Sequence, residues 1–161
     1  MILSTHAIVG GAIASLLPSD PLLAAVLGFA SHFAIDAIPH WDYQLRSISI
    51  GKRADNRCLK FNRTVIFDVM RVGVDTFAGL ALANWLFATT TSFWLIELGA
   101  IAAMVPDALQ FVHSIFPREP LVSLQRFHET IHAKQKLAWK LGVSSQIVFA
   151  ATVATLTVAI R

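Results

Sequence analysis

Five apolar runs separated by turn residues or by charge restrict what this chain can become. They cover residues 2–17, 22–38, 64–90, 93–116 and 141–160. The break after residue 17 is Pro18-Ser19-Asp20-Pro21, whose prolines forbid a continuous helix. A loop rich in Arg and Lys follows the second run, Thr91 and Ser92 separate the third from the fourth, and a second basic connection precedes the last. Within the fourth run Pro106-Asp107 interrupts the apolar pattern at Val105, and Ala108 resumes it. A spanning helix needs about 20 apolar residues, so the first two runs are marginal and the fourth spans comfortably only if it continues through Pro106. The expectation is an all-α, polytopic membrane protein with about five transmembrane helices and a short amphipathic helix before the last span. Three spans with a reentrant hairpin are the rival arrangement.

Composition agrees with a membrane chain. Of 161 residues, 55% are hydrophobic and 14% charged, against roughly 45–50% and 25% in ordinary globular domains. A single cysteine, Cys58, cannot form an internal disulfide framework, and the apolar content sets aside disorder. No Lys or Arg precedes the first run, and residues 17–20 make a poor cleavage site, so the segment reads as retained rather than as a signal peptide. The expected organisation is one membrane domain over residues 1–161, with a basic loop at about 43–63 and an amphipathic segment at about 117–140.

The cations collect in these two connections. Arg46, Lys52, Arg53, Arg57, Lys60 and Arg63 lie in the first, and Arg118, Arg126, Lys134, Lys136 and Lys140 in the second. The opposite side has only Arg161. The positive-inside tendency then puts the N-terminus and both basic loops on the cytoplasmic side, facing anionic lipid headgroups. Aromatic interleaving and nucleic-acid motifs are absent, so no nucleic acid is expected as a partner.

An up-and-down chain brings a set of ionisable residues to that same side. They are His6, the group His32, Asp36, His40 and Asp42, the stripe Asp68, Arg71 and Asp75, then Asp107, and finally His128 and His132. Such groups cost about 2.5–3.5 kcal/mol each in an apolar span, so their convergence points to a polar cavity with a use. His32 and Asp36 share a helix face at i,i+4, and Pro39 turns the chain so that His40 and Asp42 fold back. Imidazole with carboxylate suits a divalent ion, zinc above all. The bland alternative is a polar helix end in the headgroup region.

Phe127-His128-Glu129-Thr130-Ile131-His132 contains HExxH, the helical zinc motif in which Glu is the general base. No Asp, Glu or His follows His132 as a third ligand, which counts against a protease. Asp68, Arg71 and Asp75 read equally as a self-compensated ion network and as anion-holding groups. His113 is about 120° round a regular helix from Asp107, so the two cannot face one site. Gly10, Gly11, Ala14, Gly73 and Gly79 read as close helix packing.

His6 opening an apolar hairpin, His32-x-x-x-Asp36 with Pro39-His40, Pro106-Asp107, and the paired His128 and His132 resemble the bacterial membrane-bound metal-dependent hydrolases. That family's hydrolase label comes from a distant similarity to helical zinc-dependent phospholipase C enzymes. The resemblance covers nearly the whole chain and implies a small α-helical protein of the bacterial inner membrane whose His and Asp residues bind metal, with phosphoester hydrolysis as its activity. Asp20 departs from the family pattern and is not carried over.

The expected function is therefore metal-dependent hydrolysis of a phosphoester or other lipid-like substrate at the cytoplasmic face. The metal ligands would be His6, His32, Asp36, His40, Asp107, His128 and His132, with Glu129 or Asp42 accepting the proton and Arg71 or Arg126 neutralising the substrate. The alternatives are a non-catalytic structural or partner-docking membrane protein and an HExxH intramembrane metalloprotease.

Overall fold

Six helices carry the fold in a computed structural model that describes residues 1–50, 57–59, 63–90 and 92–161. Lys52, Arg53 and Lys60 of the basic loop lie outside the described residues. Helix α1 covers Leu3–Ser15 and α2 Pro21–Asp36. Helices α3 (Thr64–Phe87), α4 (Phe93–Ile115), α5 (Leu121–Ile131) and α6 (Trp139–Ile160) follow. Between α2 and α3, β1 (Ile48–Ile50) and β2 (Arg57–Leu59) pair antiparallel, Ser49 opposite Cys58.

The expected count of about five spans is corrected to two. Among the described residues, only α4 and α6 are long and apolar enough to cross a membrane. At 13 and 16 residues, α1 and α2 extend about 20 and 24 Å, short of a hydrocarbon core of about 30 Å. Helix α3 has the length, but Asp68, Arg71, Asp75 and Asn84 dilute its hydropathy. Burial explains why α1 reads as a span. All its residues except Ser4 and Ile13 are buried, and a helix apolar on every side is what a wrapped core element requires.

Helix α1 packs against α2, α3, α4 and α6. Its crossing with α4 is backbone on backbone: a Cβ placed on Gly10 would lie 2.2 Å from the Gly99 carbonyl oxygen. A Cβ on Gly79 would lie 2.6 Å from Ser4 Cα and one on Gly11 2.9 Å from Ala83 Cβ, whereas one on Gly73 would have nothing within 4 Å.

Local chemistry sets the helix ends. The Asp20 carboxylate accepts the Leu23 N–H, and Pro21 supplies a preset φ at the start of α2. For α1 the cap comes from elsewhere, since Asp75 of α3 accepts the N–H groups of Leu3 (2.7 Å) and Ser4 (3.3 Å). Gln146 of α6 ties the same end down, accepting Ile2 N–H at 3.0 Å and donating to the Trp41 carbonyl at 2.8 Å. The interruption expected at Pro106 is absent: α4 runs through it, and Asp107 sits inside the helix rather than at a restart. These contacts bring the start of α1, the end of α2, the second half of α4, α5 and the start of α6 to one end of the bundle.

Candidate metal centre

Asp36, the last residue of α2, is the hub of that end. It is 1% exposed, and five imidazoles converge on it. To its Oδ2, His128 Nε2 lies at 3.1 Å, His32 Nε2 at 3.3 Å and His132 Nε2 at 3.8 Å. To its Oδ1, His6 Nε2 lies at 3.3 Å and His40 Nε2 at 3.8 Å.

Among the described residues, two sets of atoms are close enough to share a cation. The first is His32, Asp36, Asp107 and His128; the second is Asp36, His40 and His132. In the first, His32 Nε2 is 3.4 Å from His128 Nε2 and 3.7 Å from Asp107 Oδ1. Ligands at about 2.0–2.1 Å from a tetrahedral zinc stand roughly 3.3 Å from one another, so these separations fit the edges of such a polyhedron. In the second, Asp42 stands beside both imidazoles, Oδ1 at 2.9 Å from His40 Nε2 and Oδ2 at 3.6 Å from His132 Nε2.

The imidazoles are oriented by backbone. His32 Nδ1–H donates to the Ala103 carbonyl at 2.8 Å and His40 Nδ1–H to the Ile38 carbonyl at 2.6 Å, leaving each Nε2 lone pair aimed at the cluster. The Ala103 acceptor lies in the turn before Pro106, which has no N–H to give the Ala102 carbonyl. Gln110 reaches the Nδ1 side of His128 at 3.4 Å. His6, fully buried, stacks on His32 with ring centroids 4.1 Å apart. Burial lowers the pKa of His132, which favours the neutral, ligating form.

No family model, curated protein or solved structure matches the chain.

Of the expected site residues, His6, His32, Asp36, His40, Asp42, Asp107, His128 and His132 come together. Glu129 lies outside both sets and accepts from Gln125 Nε2 at 2.8 Å. Arg126 is exposed, as is Arg71, which donates to the Gln44 carbonyl at 3.3 Å. The Asp68–Arg71–Asp75 stripe separates into three tasks: Asp68 accepts the Ser47 N–H and hydroxyl at 2.7 Å each, and Asp75 caps α1. His113 is buried but belongs to neither set.

Reasoning from sequence missed two things. The α-ammonium of Met1 sits among Asp36 Oδ1 (2.5 Å), His40 Nε2 (2.9 Å) and Asp42 Oδ1 (3.2 Å). Burial alone would lower its pKa, but the carboxylates of Asp36, Asp42 and Asp107 raise it. The two His of HExxH also part company, because α5 ends at Ile131 and His132, at φ −54° and ψ 132°, leaves the helical path. His128 joins the first set and His132 the second.

Proposed function

We propose that the chain is a membrane-embedded, metal-dependent hydrolase of phosphoesters on lipid-like substrates, with zinc as the metal. The observation that carries this reading is the first set of ligand atoms, two imidazole nitrogens and two carboxylate oxygens, three of the four residues buried. Buried groups of this kind are costly unless they are paired or hold a cation. A divalent ion bound there would lower the pKa of a water and polarise a phosphoryl oxygen. His32, Asp36, Asp107 and His128 would hold it, and the Ala103 carbonyl would fix the His32 ring. The resemblance to the bacterial membrane-bound metal-dependent hydrolases supports the same reaction class and the inner-membrane, cytoplasm-facing placement. The two long apolar helices, α4 and α6, support a membrane location.

The separation of His128 from His132 argues against a zincin-type protease, in which both hold one ion. The experiment is metal analysis of detergent-purified protein together with headgroup release from phospholipid vesicles. Wild type should bind metal and hydrolyse, and His32→Ala or His128→Ala should lower hydrolysis by more than about 100-fold. A wild-type protein that binds no divalent metal overturns the reading.

A further inference from the structure

We infer that the site holds two divalent ions, bridged by the carboxylate of Asp36, with His40, Asp42 and His132 completing the second position. The inference rests on the metal reading above and adds a second ion with its own ligands.

Three observations carry it. The first is how donors divide around Asp36. His32 and His128 approach Oδ2 at 3.3 and 3.1 Å, whereas His40 faces Oδ1 at 3.8 Å, the oxygen that His6 approaches at 3.3 Å from its stack on His32. His132, at 3.8 Å from Oδ2, stands on the second side because Asp42 spans it and His40: Oδ1 is 2.9 Å from His40 Nε2 and Oδ2 3.6 Å from His132 Nε2. No ion held by His32, Asp107 and His128 accounts for that arrangement.

The second observation is that this position already attracts positive charge. The Met1 ammonium lies within 3.2 Å of Asp36 Oδ1, His40 Nε2 and Asp42 Oδ1, and the Lys136 ammonium is 3.5 Å from Asp42 Oδ2. A divalent ion would replace the Met1 ammonium there, with His40 Nε2 available as a donor because the Nδ1–H is committed to Ile38.

The third is charge balance. Asp36, Asp42 and Asp107 contribute three negative charges, so one divalent ion leaves the ligand set at −1, offset by the Met1 and Lys136 ammonium groups beside it. Two ions bring it to +1 and attract a phosphoester. Arg71 is exposed and donates to the Gln44 carbonyl, away from the ligand set. In two-metal hydrolytic sites the second ion stabilises the oxygen opposite the attacking one. Asp42 then acts as a ligand and not as a base.

The test is metal stoichiometry of chelator-stripped, detergent-purified protein reloaded with Zn²⁺ or Mn²⁺ and freed of excess ion by gel filtration. Wild type should retain two ions per chain, and His40→Ala and His132→Ala should each retain one. Because both residues lie outside the helices, unchanged elution and thermal unfolding would show that each variant folds. Two Mn²⁺ sharing Asp36 should give an exchange-coupled electron paramagnetic resonance spectrum in wild type, replaced by an isolated-ion spectrum in His40→Ala. A wild type that retains one ion, with no change in either variant, overturns the second position and leaves the hydrolase reading standing. Two uncoupled ions overturn the bridge. Retention of none overturns both.

Discussion

Tyr43 is the only tyrosine in the chain, five residues before β1, and its environment is readable by itself. Burial, with Asp75 and Asp107 nearby, pushes its phenol well above the usual value of about 10. The neutral phenol is the form the fold favours, so its contribution to stability is complete below about pH 10 and is lost as pH rises above that value. Phenolate absorbance in the folded protein should therefore stay absent past pH 10 and emerge together with unfolding. Absorbance that develops near pH 10 while the helices persist would refute this. Residue chemistry of the other kind, imidazole and carboxylate at helix ends, was legible from sequence because such groups are rare in apolar runs. Tyr43 was not, because its shift arises from burial in the fold and from Asp75, which the fold brings from 32 positions away.

Among the elements, the α1–α4 crossing depends on the absence of side chains. Gly10→Ala places a methyl 2.2 Å from a main-chain oxygen that cannot rotate away, so the helices must separate. The expected cost is at least about 3 kcal/mol, the upper part of the range for overpacked cores. Gly73→Ala, with open space around it, should be neutral or stabilising by about 0.5–1 kcal/mol through helix propensity. Unfolding both variants in detergent beside wild type checks the pair, and equal effects would refute the packing account. Asp75→Ala removes the cap on α1 and should cost about 1 kcal/mol. The sequence placed Asp75 on a stripe with Asp68 and Arg71 but could not reveal its partner, since a cap borrowed from another helix leaves no local spacing. The span count failed for a related reason: the same apolar letters serve a helix wrapped by protein and one wrapped by lipid. Only α1's burial tells them apart.

Across the whole molecule, the cluster draws on almost every element at one end of the bundle. His6 comes from α1, His32 and Asp36 from α2, Asp107 from α4, His128 from α5, and His40, Asp42 and His132 from the connections. An ion bound there ties these parts together and should oppose unfolding. At a free concentration about 100 times its dissociation constant, it should add about 2.7 kcal/mol. Thermal unfolding with and without a chelator measures this, and an unchanged midpoint would show that the ion does not join the elements. The expectation that these residues share one side came from an up-and-down chain of five spans, and the structure brings them together with two long apolar helices instead. Their division into two sets that share Asp36 was out of reach, since HExxH reads as a single chelating pair until the helix is seen to stop at Ile131.

The segment leaving α5 lies along the backbone that carries Asp36 and His40. Ala133 N–H donates to the Asp36 carbonyl at 2.9 Å and Leu137 N–H to that of His40 at 3.0 Å. This flank is riveted by main chain, so it cannot swing aside as a door without wrenching His132 from its place. Traffic in and out must use the rim where Asp42 and Asp107 still meet the surroundings, at 22% and 28% exposure, while His32 and Asp36 stay sealed behind them.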